Sequence, residues 1–267
     1  MIERQNSEQL VVIIVTYNSS DFILPCLRNL SATRKNRELQ IVVIDNNTSS
    51  DNIINIVKNN FPNITLIKNR ENIGLPRALN QGIYSVPAIY YLILNPDVLI
   101  KSEEIEKLVK HLDRHPDIGI AGPRLEYPDG TMQFSARTFP TIFTILARGI
   151  GLVEQKKWLP VSLKKHLMVD LKHQEPKEVD WLLGAALLLR GQMLSEIGYF
   201  NEKYFLYYGD VDLCWRARKK GWKIVYYPQV QAVHHYQRAS ARGGIFNPLK
   251  WSHFFSAMRF LIKKNFS

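Results

Sequence analysis

The sequence predicts an α/β protein with a mainly parallel, doubly wound central sheet, an amphipathic insertion and a basic C-terminal helix. Three observations predict it. Over the first 125 residues, short β-rich runs alternate with helical patterns, and such alternation builds parallel sheets with both faces covered. Between about 138 and 178 the alternation stops. The chain then closes on a helical stripe of large apolar residues flanked by Lys and Arg.

Each element has its own local reason. Strands are predicted at 10–16, 39–45, 64–68, 89–94 and 118–121, runs rich in the Val, Ile and Tyr that suit a pleated, buried surface. Helices are predicted near 21–34, 50–61, 75–84 and 102–114. The last shows Ile105, Leu108, Val109 and Leu112 at helical spacing, with Ser102 and Glu104 suited to its N-terminus. Phe139 to Phe143 opens the insertion, which runs through Arg148 and Trp158 to Lys165 as part helix and part loop. A strand-like run at 179–190 contains Gly184. A helix near 210–220 and strands at 223–227 and 230–234 follow. Trp251, Phe254, Phe255, Met258, Leu261 and Ile262 form the closing stripe, either an interfacial helix on a membrane or a helix docked on the core.

The 267 residues suffice to bury a sizeable core, and 46% hydrophobic with 22% charged residues is ordinary for a globular chain. The charge is divided unevenly. Residues 1–130 hold 14 Lys+Arg against 15 Asp+Glu, and residues 131–267 hold 21 against 9. The whole excess therefore sits in the second half, which points to an anionic partner: nucleic acid, an anionic membrane surface or a phosphorylated substrate. Cys26 and Cys214 are far apart and fall in predicted helices, as reduced, packed thiols do. Glu3, Arg4 and Glu8 interrupt any early apolar run, so no signal peptide is expected. No run approaches the ~20 apolar residues of a spanning helix.

The chemistry-bearing residues gather at predicted strand ends. Asp97 follows Asn95-Pro96 just beyond the apolar strand at 89–94, where open α/β sheets bind ligands. Proline stops the strand there. The segment reads either as an ordinary turn or as one that presents a carboxylate to a cation. Thr16-Tyr17-Asn18 and Asp45-Asn46-Asn47 end the first two strands at the same sheet edge. There Asp45 would accept a hydrogen bond from a nucleobase imide, and Tyr17 would stack on the base or lie under the ribose. No Gly-x-Gly-x-x-Gly and no Walker-type loop follows the first strand, which argues against a dehydrogenase-type dinucleotide fold. Asn72, Gly74, Arg77 and Asn80 surround a helix start with Pro76 in its first turn. They read either as a well-capped helix or, for Arg77 above all, as a diphosphate contact. Tyr207-Tyr208-Gly209-Asp210-Val211-Asp212 sets aromatics before two carboxylates at a helix start. One acid would cap the helix and the other is free to act as a general base. His234 and His235 end an apolar strand, and an inward imidazole there would join Asp97 on a divalent ion.

Together these motifs resemble the family 2 glycosyltransferases of GT-A fold, and more closely their bacterial rhamnosyltransferase-like branch, over roughly residues 10–240. Residues 11–18 are similar to the first strand with its Thr-Tyr-Asn ending, and 42–51 to the nucleotide segment. Residues 72–80 resemble the family's helix start. Asn95-Pro96-Asp97 corresponds to the Asp-x-Asp metal motif, 181–190 to the acceptor-side strand, and 205–216 to the region carrying the base. Residues 228–234 match the spacing that delivers a metal-binding His. Two positions depart from the pattern: Asn95 replaces the first Asp, and Gly209 replaces the Glu before the base.

The resemblance implies a Rossmann-like GT-A domain over 1–240, with a donor half at 1–130, an acceptor half at 131–240, and a basic segment at 241–267. It implies an inverting, metal-dependent enzyme with Asp210 as base. Thr16, Tyr17, Asn18, Asp45, Asn47, Asn72, Gly74, Arg77, Asn80, Asn95 and Asp97 would bind the nucleotide-sugar. Trp181, Gly184 and Asp212 would meet the acceptor, and Asp97 and His234 would hold Mg2+ or Mn2+. The implied donor is dTDP-L-rhamnose, with UDP-sugars second. The implied acceptor is a saccharide or a polyprenyl-diphosphate-linked saccharide of O-antigen, capsule or cell-wall synthesis. A peripheral place on the anionic cytoplasmic membrane face and a homodimer are further expectations, and a nucleic-acid partner is not, since it leaves Asp45, Asp97 and Asp210 unexplained. An inactive homologue serving as an assembly partner is the alternative that Gly209 raises.

Overall fold

The computed structural model describes residues 8–31, 39–47, 53–149, 159–171, 173–236 and 248–266. The first half winds through β1 (Glu8–Thr16), α1 (Ser20–Ser31), β2 (Gln40–Asp45), α2 (Ile53–Asn60), β3 (Thr65–Lys68), α3 (Leu75–Ser85) and β4 (Ala88–Leu94). Next come β5 (Val98–Leu99), α4 (Ser102–Arg114), β6 (Ile118–Glu126) and the short strands β7 (Met132–Gln133) and β8 (Ala136–Arg137). The insertion supplies α5 (Ile142–Gly149) and α6 (Val161–His166). Then follow β9 (Lys177–Glu178), β10 (Trp181–Leu182), β11 (Ala186–Arg190), α7 (Gly191–Ile197), α8 (Gly209–Lys219), β12 (Lys223–His234) and α9 (Pro248–Phe266). Parts of the predicted helices at 32–34 and 50–52, and of the insertion at 150–158, lie outside the described residues.

The main sheet runs in the order β3-β2-β1-β4-β11-β6-β12-β5. Strands β1 to β4 are mutually parallel, and β12 is parallel to β6. Val11, Val12, Ile13 and Ile14 are all fully buried, because alternate side chains enter the two cores on opposite faces. Cys26 and Cys214 are free and buried, and burial pushes both thiols up to about 12. They are packing residues.

Three expectations are corrected. The run at 179–190 is two strands: β10 pairs antiparallel with β8 in a separate ribbon, and β11 enters the main sheet antiparallel to both β4 and β6. The break falls at Leu183 and Gly184, whose amides are drawn off to Ser135 O and Asp210 Oδ2, both at 2.9 Å. The strands at 223–227 and 230–234 are one strand, β12, whose register slips between Tyr227 and Gln231 around Pro228, which has no N–H to give. The closing helix is docked, the second of the two alternatives, but of the stripe read from the sequence only Leu261 is buried. Ser256, Ala257, Phe260 and Leu261 face inward, while Trp251 (53%), Phe255 (63%) and Ile262 (58%) are exposed. The inward choice follows from partners: Phe260 meets Phe139, Tyr208 and Trp215.

Candidate active site

Because β1, β2 and β4 are parallel, their C-terminal ends emerge together, with Thr16 opposite Asp45 and Ile14 opposite Leu94. Asn18 and Asn47 take left-handed backbone (φ 52° and 63°), a conformation that Asn adopts more readily than most residues. Tyr17 stands half-exposed over this edge, and Asp45 is buried at its base. Thr16 is fully buried and donates its hydroxyl to Ile44 O at 3.2 Å, so it shapes the edge from beneath.

An asparagine network ties β2 to α3. Asn46 Nδ2 donates to Asn72 Oδ1 at 2.8 Å, and Gly74 N–H donates to the same oxygen at 3.0 Å. Gly74 has φ 85°, and a Cβ there would lie 2.7 Å from Phe205 O. That carbonyl instead accepts from Leu75 N–H at 2.7 Å, capping α3 from the loop before α8. Asn80 is buried and clamps the same loop. Its Nδ2 donates to Phe200 O at 2.9 Å, and its Oδ1 accepts from Phe200 N–H at 3.0 Å. Asn72, Gly74 and Asn80 therefore join this edge of the sheet to the loop that leads into α8, where Asp210 lies. Arg77 is exposed, 3.7 Å from Glu202, and outside the cleft lining.

A cleft of about 310 Å³ opens beside this edge. Asn95, Asp97, Trp181, Gly184, Asp210 and His234 all line it, although the first and last of them are 139 positions apart in the chain. Asn95 is held by its N–H to Ala185 O at 2.9 Å. Asp97 is held by its carbonyl, which accepts from His235 N–H at 2.8 Å as β5 pairs with β12. Asp97 Oδ1 is buried and has no hydrogen-bond partner, and it stands 3.5 Å from His234 Nε2. Adjacent ligand atoms of an octahedral ion at ~2.1 Å stand about 3 Å apart, so the pair suits a divalent cation. Among the described residues no third His, Cys, Asp or Glu completes a cage. Mg2+-type sites are commonly filled out by substrate phosphates and water.

Asp210 sits in the first turn of α8, part-buried on the cleft wall. Its Oδ2 accepts from Gly184 N–H and its Oδ1 from Val211 N–H, both at 2.9 Å. Burial pushes its carboxyl above the usual range, opposed by those amides and by the charge of Arg137. A carboxylate tuned upward is a better proton acceptor near neutral pH. Gly184 leaves room for this carboxylate, since a Cβ there would lie 3.2 Å from Asp210 Oδ2 and press it by a few tenths of an ångström. At Gly209 a Cβ would meet Pro76 Cγ at 3.2 Å, so glycine lets the starts of α8 and α3 abut. Trp181 lines the cleft with its indole N–H on Thr138 O at 2.9 Å.

Asp212 lies elsewhere. It is fully buried, paired with Arg216 Nε at 2.8 Å and Lys263 Nζ at 2.6 Å, and faces away from the cleft. Two cleft residues, Arg137 and His253, and one buried behind the cleft, Gln133, had no signal in the sequence. Arg137 lies with its guanidinium 5.3 Å from the Trp181 ring centre, His253 comes from α9 against Tyr207 and Tyr208, and Gln133 contacts His234. Arg137 and Gln133 follow a Pro-Asp-Gly turn with alternating polarity, which marks a hairpin but not its neighbours.

The cleft thus lies at the carboxyl edge of a mainly parallel sheet, with one carboxylate near a His and another tuned upward. The chain belongs to glycosyl transferase family 2, whose profile matches residues 11–166. Among its relatives is the N-acetylglucosaminyl-diphospho-decaprenol L-rhamnosyltransferase of Mycobacterium tuberculosis, 29% identical over 88% of this chain and 79% of that one. Rhamnosyltransferase WbbL of Escherichia coli is 24% identical over 95% and 92%. The fold matches that of the mannosyltransferase PcManGT from Pyrobaculum calidifontis in complex with GDP-Man and Mn2+ (TM-score 0.62, 18% identity). It also matches GalNAc-T7 with UDP, GalNAc and Mn2+ (TM-score 0.63, 14% identity). This chain covers 65% and 45% of those two chains, respectively, and 97% and 87% of its own length is matched. The architecture is the GT-A fold.

Proposed function

We propose that the chain is an inverting, metal-dependent glycosyltransferase. In this reading it moves L-rhamnose from dTDP-L-rhamnose to a saccharide carried on a lipid diphosphate, during surface-polysaccharide synthesis at the cytoplasmic membrane face. One observation carries the reading: Asp210 and the Asp97–His234 pair line the same cleft, beside the edge where Tyr17 and Asp45 emerge. The names of the relatives support the sugar and the lipid-linked acceptor.

The acceptor hydroxyl attacks the anomeric carbon as the bond from that carbon to the diphosphate oxygen breaks. Asp210 takes the hydroxyl proton, and the nucleoside diphosphate leaves with the bonding electrons. Asp97 and His234 would hold a divalent cation, Mg2+ or Mn2+, which would supply Lewis-acid neutralisation of the leaving diphosphate. Tyr17 and Asp45 orient the base. Gly184 N–H keeps one oxygen of Asp210 occupied and so fixes the direction of its carboxylate.

The test uses the purified chain with dTDP-L-rhamnose, UDP-sugars and GDP-sugars, with and without Mn2+, and a prenyl-diphosphate-linked N-acetylglucosamine acceptor. The reading expects Mn2+-dependent transfer from dTDP-L-rhamnose, with a product anomeric configuration opposite to the donor's. Transfer only from a UDP-hexose would reassign the donor, and retained configuration would remove Asp210 as base.

A further inference from the structure

His234 makes two polar approaches from opposite sides of its ring. Its Nδ1 lies 2.7 Å from Gln133 Oε1, and its Nε2 lies 3.5 Å from Asp97 Oδ1. Both His234 and Gln133 are buried, so bulk water does not compete for these atoms. An amide oxygen only accepts, so the short contact places a proton on Nδ1. The neutral imidazole then carries its lone pair on Nε2, directed to the side where Asp97 Oδ1 has no hydrogen-bond partner.

The fold makes this arrangement through β6. Leu125 of β6 is the register partner of Gln133 on one side and of Ala232 on the other. His234 lies two residues beyond Ala232 and so shares its face of the sheet. The hairpin leading to Gln133 is closed by Tyr127 N–H to Thr131 O at 2.8 Å, and Gly130 N–H to Tyr127 O at 2.9 Å. Gln133 is thus presented by a fixed strand rather than a loose loop.

We infer that Gln133 is a positioning residue that holds His234 in the Nδ1–H tautomer and so keeps Nε2 available, with Asp97, to a divalent cation. The inference rests on the proposed cation role of Asp97 and His234. The opposite tautomer would put a proton on Nε2, turn the approach into an Asp–His hydrogen bond and leave no lone pair for an ion. Outer-shell partners of ligating histidines change metal affinity by about 10- to 100-fold.

The tautomer is read by long-range 1H–15N correlation on 15N-labelled, metal-free protein, and Mn2+ affinity by EPR titration in the presence of dTDP. The native protein is expected in the Nδ1–H form. Gln133→Leu, similar in size and unable to accept, should lose that preference and bind Mn2+ about 10- to 100-fold more weakly, with metal-free dTDP affinity unchanged. Gln133→Glu, which keeps an acceptor, should restore both. A native Nε2–H tautomer, or native Mn2+ affinity in Gln133→Leu, overturns the role of Gln133. A native Nδ1–H tautomer with no Mn2+ binding at all overturns instead the cation reading beneath it, and the role with it. Should Gln133→Leu not fold, the tautomer of the native protein decides alone.

Discussion

Lys263 reaches from α9 to place its Nζ 2.6 Å from Oδ1 of Asp212, a carboxylate with no solvent exposure two residues beyond Asp210. Arg216 holds the other oxygen and spends its remaining donors on the carbonyls of Ile197, Gly198 and Tyr199. The closing helix is therefore fastened to the helix that carries the proposed base. A buried charge that loses one partner is costly, although Arg216 remains to Asp212. Lys263→Met should destabilise the fold by about 1–3 kcal/mol, measured as a lower urea midpoint with unchanged slope.

Asp210→Asn separates function from stability. Loss of a general base should lower transfer by about 10²- to 10⁴-fold. Burial raises the folded-state pKa of Asp210 above its unfolded value, so the folded state holds the proton more tightly. The stability that this group contributes is complete below the unfolded pKa and is lost as pH rises through the folded one. At neutral pH the ionised carboxylate therefore costs stability, which Asp210→Asn removes, but the Asn oxygen can accept from only one of the Gly184 and Val211 N–H groups that the carboxylate serves. Asp210→Asn should therefore flatten the fall of melting temperature with rising pH through the folded-state pKa, and a variant that keeps the native pH dependence would contradict this account.

The same shift sets a pH profile. Asp210 must be ionised to accept a proton, so kcat should fall on the acid side with an apparent pKa above the ordinary 3.8. A profile still flat down to the ordinary carboxylate range would exclude Asp210 as the group that controls it.

Gly184→Ala tests positioning at the base. The added methyl would sit 3.2 Å from both Cβ and Oδ2 of Asp210, so the carboxylate must give by a few tenths of an ångström while its N–H donor survives. Misplacement by a full ångström costs on the order of 10²-fold. The expected result is a smaller kcat loss, below about 10²-fold, with little change in donor KM.

The exposed apolar face of α9 bears on where the protein works. Trp251, Phe255 and Ile262 point outward, α5 packs beside α9 with Ile142, Phe143 and Leu146 also exposed, and residues 238–267 carry six Lys+Arg and no acid. Trp251→Ser with Phe255→Ser should change stability by only about 0.5 kcal/mol and reduce flotation with anionic liposomes. Unchanged flotation would move the contact off this face.

Helix α4 runs over the same residues, Ser102–Arg114, that its apolar spacing predicts, and β1, β2 and β4 begin and end within two residues of expectation. The GT-A architecture and the family were legible from motif order along the chain. These features are local: period, caps and breakers act within a few residues, so one segment carries its own answer. What needed tertiary structure is a choice among partners. From Trp181 to Leu189 the run holds no charged or polar side chain, and the competing acceptors Ser135 O and Asp210 Oδ2 divide it at Leu183 and Gly184. By residue type and place at a helix start Asp210 and Asp212 are alike, and only the family resemblance set Asp210 apart as base and placed Asp212 at the acceptor. One faces a cleft and the other is buried because Lys263, 51 residues away, comes back to meet it. Gln133 and His234 are 101 residues apart and touch because both flank β6. Side chains do not encode which distant strand lies beside them; the sheet's hydrogen-bond pairing decides that, and the site's chemistry follows from it.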